Sequence, residues 1–250
     1  MDTLMAEIHK LKRSQSWGVV IVLPLVVVAA GTLTSILLGR PLSGGWDTLW
    51  QRTVVFHGLA PLALGVAVLA SLTWRSEHRG GNWNALMAGP TSSGRIVVAK
   101  TLVVALLAAA MQVVLVVAVV LVGKLAFALP GWPPTSYLTV SGLVALAGLP
   151  LAALQSALSM VLRSFAAPVA LALVGAGAGL VLLVAGVDGA IFVLPHALAA
   201  RATQVGSGVF GDAGVLGAGP IGTVLLATAL LTAVVLASAT RTLDRRDVRA

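Results

Sequence analysis

The sequence predicts an all-α integral membrane protein with six transmembrane helices and both termini on the cytoplasmic side. Three observations carry that expectation. Of 250 residues, 58% are hydrophobic and only 10% are charged, with a mean hydropathy of +1.02. Soluble domains carry about a quarter of their residues as charges, and a chain of this size has too little interior to hide such an apolar surplus, so its outer solvent is lipid. The apolar residues also fall into six runs, each near the roughly 20 residues that a helix needs to cross a hydrocarbon core. Finally, 16 basic residues against 8 acidic ones give a net charge of +8, and they divide unequally among the gaps.

The runs are 17–38, 54–74, 101–123, 137–162, 168–187 and 221–240, within one transmembrane domain over 1–250. None holds an acidic or basic residue in its middle, where insertion would cost about 2.5–3.5 kcal/mol. Nor do they alternate with the period of two that marks a membrane barrel. On one side lie Lys10, Lys12, Arg13, Arg75, Arg79, Arg95, Lys100, Arg163, Arg241, Arg245, Arg246 and Arg249, twelve basic residues in all. The other side has four: Arg40, Arg52, Lys124 and Arg201. Basic residues accumulate in cytoplasmic loops, so both ends are placed there. This bias, and not a nucleic-acid partner, accounts for the positive charge. Trp17, Trp46, Trp50, Trp74 and Trp132 flank the runs, at the headgroup level that amphipathic rings favour. A cleavable leader ending near Val28, Ala29 and Ala30 is disfavoured, because the first run exceeds the roughly 7–15 residues of a signal core. The absence of cysteine excludes disulfides, thiolate metal sites and cysteine nucleophiles.

Before the first span, 1–16 forms an amphipathic surface helix. Leu4, Met5, Ile8 and Leu11 share one face, and Glu7, Lys10 and Arg13 the other. The gap 75–100 is longer than a plain connection requires. It contains a short apolar segment, Trp83, Ala85, Leu86 and Met87, with Asn82 as an N-cap and Gly89 followed by Pro90 as a stop. An exposed turn carrying Trp, Leu and Met is costly unless something covers it. Its cover is either this chain's own helix ends or a separate soluble subunit.

The pattern Glu77, Gly81, Trp83, Asn84, Leu86, Met87, Pro90, Arg95 and Lys100 resembles that of ABC-2-type transporter permeases. It is particularly similar to the short permeases of lantibiotic-immunity and bacitracin-resistance exporters. The resemblance implies that 75–100 is a cytoplasmic coupling loop, with a short coupling helix between spans two and three seated in a groove of an ATPase. The implied partners are a cytoplasmic ABC ATPase dimer, a second permease copy or related permease, and the bilayer of the plasma membrane. It implies no cofactor on this chain, with ATP and Mg on the partner. The implied activity is ATP-driven efflux of an antimicrobial peptide, antibiotic or other amphipathic compound. The ATPase-coupling interface would comprise Glu77, Asn82, Trp83, Asn84, Leu86, Met87, Pro90 and Arg95. The plainer account of Glu77 is a solvated surface charge.

The gap 188–220 is apolar in its first half and reads as re-entrant helices before span six, since irregular backbone at membrane depth must be buried in protein. Its second half, rich in glycine, also fits a loose external loop. Arg163 reads as an inner-interface residue that snorkels, and the tail 241–250 as a solvated end near anionic lipid. Buried polar residues Gln112, Gln155, Ser156 and Ser159 are candidates for a translocation path. Interhelical hydrogen bonding is the plainer account. Gly175 and Gly179 read as a helix-packing pair.

No enzyme is expected. The string from Gly94 to Lys100 and Thr101 is one residue from a phosphate-binding loop, with Ala99 where glycine belongs, but it enters a span and does not follow a strand. Ser207 and His196 lack the order and flanking glycine of an intramembrane serine protease, and no His-Glu-x-x-His zinc pattern occurs. His57, His78 and His196 read as satisfied or solvated, with no metal site. The rival is a secondary carrier or substrate-binding subunit not driven through a coupling helix. Such carriers use buried ionisable residues and repeated halves, which the runs lack.

Overall fold

In a computed structural model, the described residues are 2–11, 14–79, 82–212 and 214–247. Lys12, Arg13, Gly81 and Arg249, all invoked above, lie outside them, as do the side chains of Ala85 and Arg246. Among the described residues the chain is helical, with no strand. The elements are α1 (Asp2–Lys10), α2 (Ser16–Leu37), α3 (Gly45–Trp50), a π-helical turn (Gln51–Val55), α4 (Phe56–Leu59), α5 (Pro61–Arg75), α6 (Asn82–Met87) and α7 (Ser93–Leu125). They continue with α8 (Ser136–Val161), α9 (Ala166–Val184), a 3-10 turn (Asp188–Phe192), α10 (Pro195–Gln204) and α11 (Ala218–Asp247). Five helices, α2, α7, α8, α9 and α11, are long and apolar enough to cross a membrane. The chain is therefore a multi-pass membrane protein.

A sixth crossing would be a bent one. Sequence reading gave a continuous span at 54–74, whereas the segment starts at Gly45 and bends by 47° between α4 and α5. The cause is Pro61. It opens α5 where its missing N–H is harmless, and it pushes Ala60 out of the helical region, to φ −146°. The third span differs too: α7 begins at Ser93 and not at 101, so Arg95 and Lys100 are helical and not in a loop.

Packing grades outward from α7 and α8. Within their most apolar 18-residue stretches, 56% of α7 and 50% of α8 is buried, against 28% of α9 and 22% of α11. The core between them joins Met111, Leu115, Val144, Leu151 and Leu198. The outward faces of α2, α9 and α11 carry Val22, Leu37, Val174, Val181 and Val234, all exposed, as lipid contact requires. The 3-10 turn and α10 fold back into the bundle, and α10 packs on α8 and α9 with nine of its ten residues buried. The segment takes His196, Thr203 and Gln204 into the bundle and away from the lipid-facing surface.

The end of α11 meets α6 in a second cluster formed by Trp74, Ile96, Val97, Met160, Ala239 and Leu243. Helix α1 packs on α7. The first helix and the end of the last therefore share the α6 end of the bundle, and the turns following α2 and α7 lie at the opposite end. Because the chain has no cysteine, single substitutions report this arrangement without background. Ser43→Cys and Ser92→Cys, both exposed, are expected to show opposite labelling by a membrane-impermeant maleimide in intact cells. Equal labelling of the two would contradict the fold.

Candidate functional site

The α6 end is built around four charges. Lys10 Nζ lies 2.7 Å from Glu7 Oε1 and 2.9 Å from Glu77 Oε1. Lys100 Nζ lies 2.9 Å from Glu7 Oε2 and 2.9 Å from Glu77 Oε1. Glu7, Glu77 and Lys100 are only 6%, 4% and 1% exposed. The set is neutral and every member has two opposite partners, the condition under which charges can leave water. Trp74 closes one side, its ring 4.9 Å from Lys100 Nζ.

This corrects two expectations. Glu77 is a buried, paired charge and not a solvated one. Glu7 and Lys10 do not face solvent together: Glu7 points inward, while Met5 is 48% exposed. Helical spacing explains the second point, since Leu4, Glu7, Ile8 and Leu11 form the inward stripe, and the three apolar members pack on the main core. Lys100 likewise sits in the buried stripe of α7, between Ile96, Val97, Val103 and Val104.

Burial alone would raise the Glu77 carboxyl. The Lys100 charge and hydrogen bonds from Lys10 and Lys100 outweigh it and hold Glu77 below the usual range. For Lys10, burial lowers the ammonium, and the bonds and charges of Glu7 and Glu77 more than compensate, raising it.

Above this network, α6 covers the neighbouring ends of α5 and α8. The Trp83 ring stacks on His78 at 5.7 Å and meets Trp74 at 6.3 Å. His78 Nε2 donates to the Ser159 carbonyl at 2.8 Å, and Trp74 Nε1 to Ser156 Oγ at 2.8 Å. Trp83, Leu86 and Met87 are half-buried against the second cluster. Of the two covers considered for this apolar turn, the chain's own helix ends take the larger part. Asn82, Asn84, Pro90 and Arg95 face outward. Asn82 opens α6, and its side-chain amide donates to the Ser76 carbonyl at 2.9 Å. A groove of about 430 Å³ runs beside α6, lined by Glu77, His78, Trp83, Asn84, Met160 and Arg163.

The four path candidates do not converge. Ser156 and Ser159 are tied to the platform under α6, with Ser71 Oγ 3.3 Å from Ser159 Oγ. Gln155 instead meets His196 Nε2 of α10 at 3.3 Å. Gln112 is buried in α7 with no protein partner for either amide atom. His57 and Gln204 are buried likewise, on α4 and α10. Gly175 and Gly179 bring α9 onto α10: a Cβ on Gly179 would lie 2.8 Å from the Ala197 nitrogen, and one on Gly175 2.5 Å from the His196 ring. Close backbone approach through small residues is how helices pack in lipid.

Two outcomes follow from the network. Lys100→Met leaves two buried carboxylates sharing one half-exposed lysine, and a loss of about 3–5 kcal/mol of stability is expected, read as a large fall in thermal midpoint. The stabilisation from Glu77 is present above the ordinary carboxylate range and is lost as pH falls through its lowered value. That from Lys10 is present below the ordinary lysine range and is lost as pH rises through its raised value. A plateau in thermal midpoint between about pH 5 and 10 is expected, and Glu77→Gln should flatten its acid limb. An unchanged acid limb in that variant would contradict the assignment.

Compared with known proteins, the sequence matches the family described as ABC-2 family transporter protein over residues 3–179. No curated protein and no solved structure matches it. The matched stretch runs from α1 into α9 and contains the whole charge network and α6. This multi-pass chain, with its short helix set on buried ion pairs at one end of the bundle, belongs to the ABC-2 transporter family and is a transport subunit.

Proposed function

We propose that the chain is the permease subunit of an ATP-binding-cassette exporter in the plasma membrane, with both termini cytoplasmic. ATP and Mg would be held by a separate cytoplasmic ATPase dimer, and a second permease, identical or related, would complete the path. The observation that carries this reading is the buried network. It joins α1, the turn after α5 and the start of α7 around the base of α6, so a push on α6 reaches two spans as a rigid-body shift. Glu77 serves the coupling interface from within that anchor, its carboxylate held by Lys10 and Lys100.

The coupling residues then divide by role. Asn82, Asn84, Pro90 and Arg95, all outward, form the contact with the ATPase. Trp83, Leu86 and Met87 seat α6 on Trp74 and Leu243, which makes the helix a stiff knob instead of a loose loop. The similarity to lantibiotic-immunity and bacitracin-resistance permeases supports an antimicrobial peptide, antibiotic or other amphipathic compound as cargo. The buried polar residues on α4, α7, α8 and α10 are the places where a polar part of that cargo would pass.

Co-purification with the ATPase tests the reading. Asn84→Lys is expected to weaken the association at least about tenfold and to reduce ATP-dependent efflux in parallel, while leaving the thermal midpoint of the permease unchanged. Efflux driven by an ion gradient, persisting with no ATPase present, would overturn the proposal in favour of a secondary carrier.

A further inference from the structure

At the end of the bundle remote from α6, a cavity of about 620 Å³ opens between α2 and the segment from α3 to α4. Its wall is apolar: Phe56, Leu59 and Phe210 line it together with Ala30 and Val55. Its rim is cationic, formed by Arg40 and Arg52. Among the described residues, no acidic side chain lines the cavity. Neither guanidinium is within ion-pair distance of a carboxylate among the described residues. Arg52 Nη1 donates to Ser35 Oγ at 2.8 Å, which fixes its direction and leaves its other donors available. The guanidinium of Arg40 makes no hydrogen bond with the described residues, and the hydroxyl of Thr34 stands at the same rim.

The backbone is shaped to form this site. Gly31 lets α2 approach the π-helical turn so closely that a Cβ there would lie 2.5 Å from the Arg52 carbonyl oxygen. The extra residue of a π-turn re-aims the side chains it carries, and such turns recur at functional sites. Phe210 is held in the left-handed region, at φ 53°, an uncommon conformation for an aromatic residue.

Position sets the ligand class. Trp46, Trp50 and Tyr137 gather at this end, with the Trp50 and Tyr137 rings stacked at 4.1 Å, and such residues mark the headgroup level of a bilayer. Next to the cavity, α2 turns Leu33, Ile36 and Leu37 outward, 51%, 45% and 74% exposed, as lipid-facing residues. Two unpaired arginines at phosphate depth, above an apolar wall open to the acyl region, match one kind of molecule. We propose that this cavity is a binding site for a phosphate-bearing anionic lipid. Arg40 and Arg52 hold the phosphate, and an acyl chain lies along Phe56, Leu59 and Phe210. The site is independent of the ATP-driven reading, because binding requires neither nucleotide nor a partner subunit.

The test uses the purified full chain in a neutral detergent, titrated with short-chain phosphatidylglycerol, short-chain phosphatidylcholine or inorganic phosphate, with binding read by thermal shift and native mass spectrometry. Saturable binding of phosphatidylglycerol is expected, at least about tenfold tighter than phosphatidylcholine, and weakened about tenfold in Arg52→Gln. Arg40→Gln should weaken it comparably, and since that guanidinium bonds to none of the described residues, the variant is expected to fold however Arg52→Gln behaves. Equal affinity for the two lipids, or full affinity in Arg40→Gln, would overturn the site. Inorganic phosphate binding as tightly as phosphatidylglycerol would overturn the lipid as its source. A chain that takes up no lipid because a second copy covers the arginines would overturn it as well.

Discussion

Two glutamates and two lysines, withdrawn together from water, bring into one place segments that the covalent order keeps apart: α1, the turn after α5 and the first turns of α7. A buried carboxylate without a cation is among the most destabilising features a fold can contain. Neither α1 nor the turn can therefore leave without stranding a charge. The amphipathic first helix is thus more than a membrane float. It contributes half of the clamp from which α6 projects, and α6 is anchored at both ends, by Glu77 before it and by Lys100 on the helix that follows.

The opposite half of the molecule follows a different rule. Here the constraint is lipid, which offers backbone and side-chain polar groups no partner. The broken segment from α3 to α5 and the inward-folded α10 are accommodated because other helices surround them. Both carry buried polar side chains, His57 on one and His196, Thr203 and Gln204 on the other. Small residues let these pieces approach, as Gly175 and Gly179 do for α9 and α10. Irregular helices enclosed by regular ones give a bundle with polar chemistry inside and a uniform apolar exterior.

The apolar runs were readable from the sequence because lipid demands them, and the helices α2, α7, α8, α9 and α11 overlie five of them. The bend was missed although its signal was present: Pro61 lies within the run at 54–74, and a proline there starts a new helix instead of continuing one. The network was missed for a subtler reason. Its charge places Glu7 on the polar face of α1, yet positions 4, 7, 8 and 11 are the spacing of one helical stripe, and Glu7 is at its centre. Lys100 occupies the same place in the stripe of α7. A charge in the middle of an apolar stripe implies an opposite charge facing it, but which one is a tertiary fact that spacing does not contain. The apolar side chains of α6, Trp83, Leu86 and Met87, pack partly against the second cluster. That Trp74, Met160 and Leu243 would help cover them could not be read from positions so distant along the chain.

The central claim is mechanical: α1, α6 and the start of α7 move as one body. With no native cysteine, spin labels can be placed at the exposed positions Met5, on α1, and Ala88, directly after α6, and their separation measured in the assembled transporter without nucleotide and with trapped ATP. The account predicts the same narrow distance distribution in both states. A distribution that shifts or broadens with nucleotide, while the complex remains intact, would show that the charges do not bind α1 to α6, and the account would be wrong.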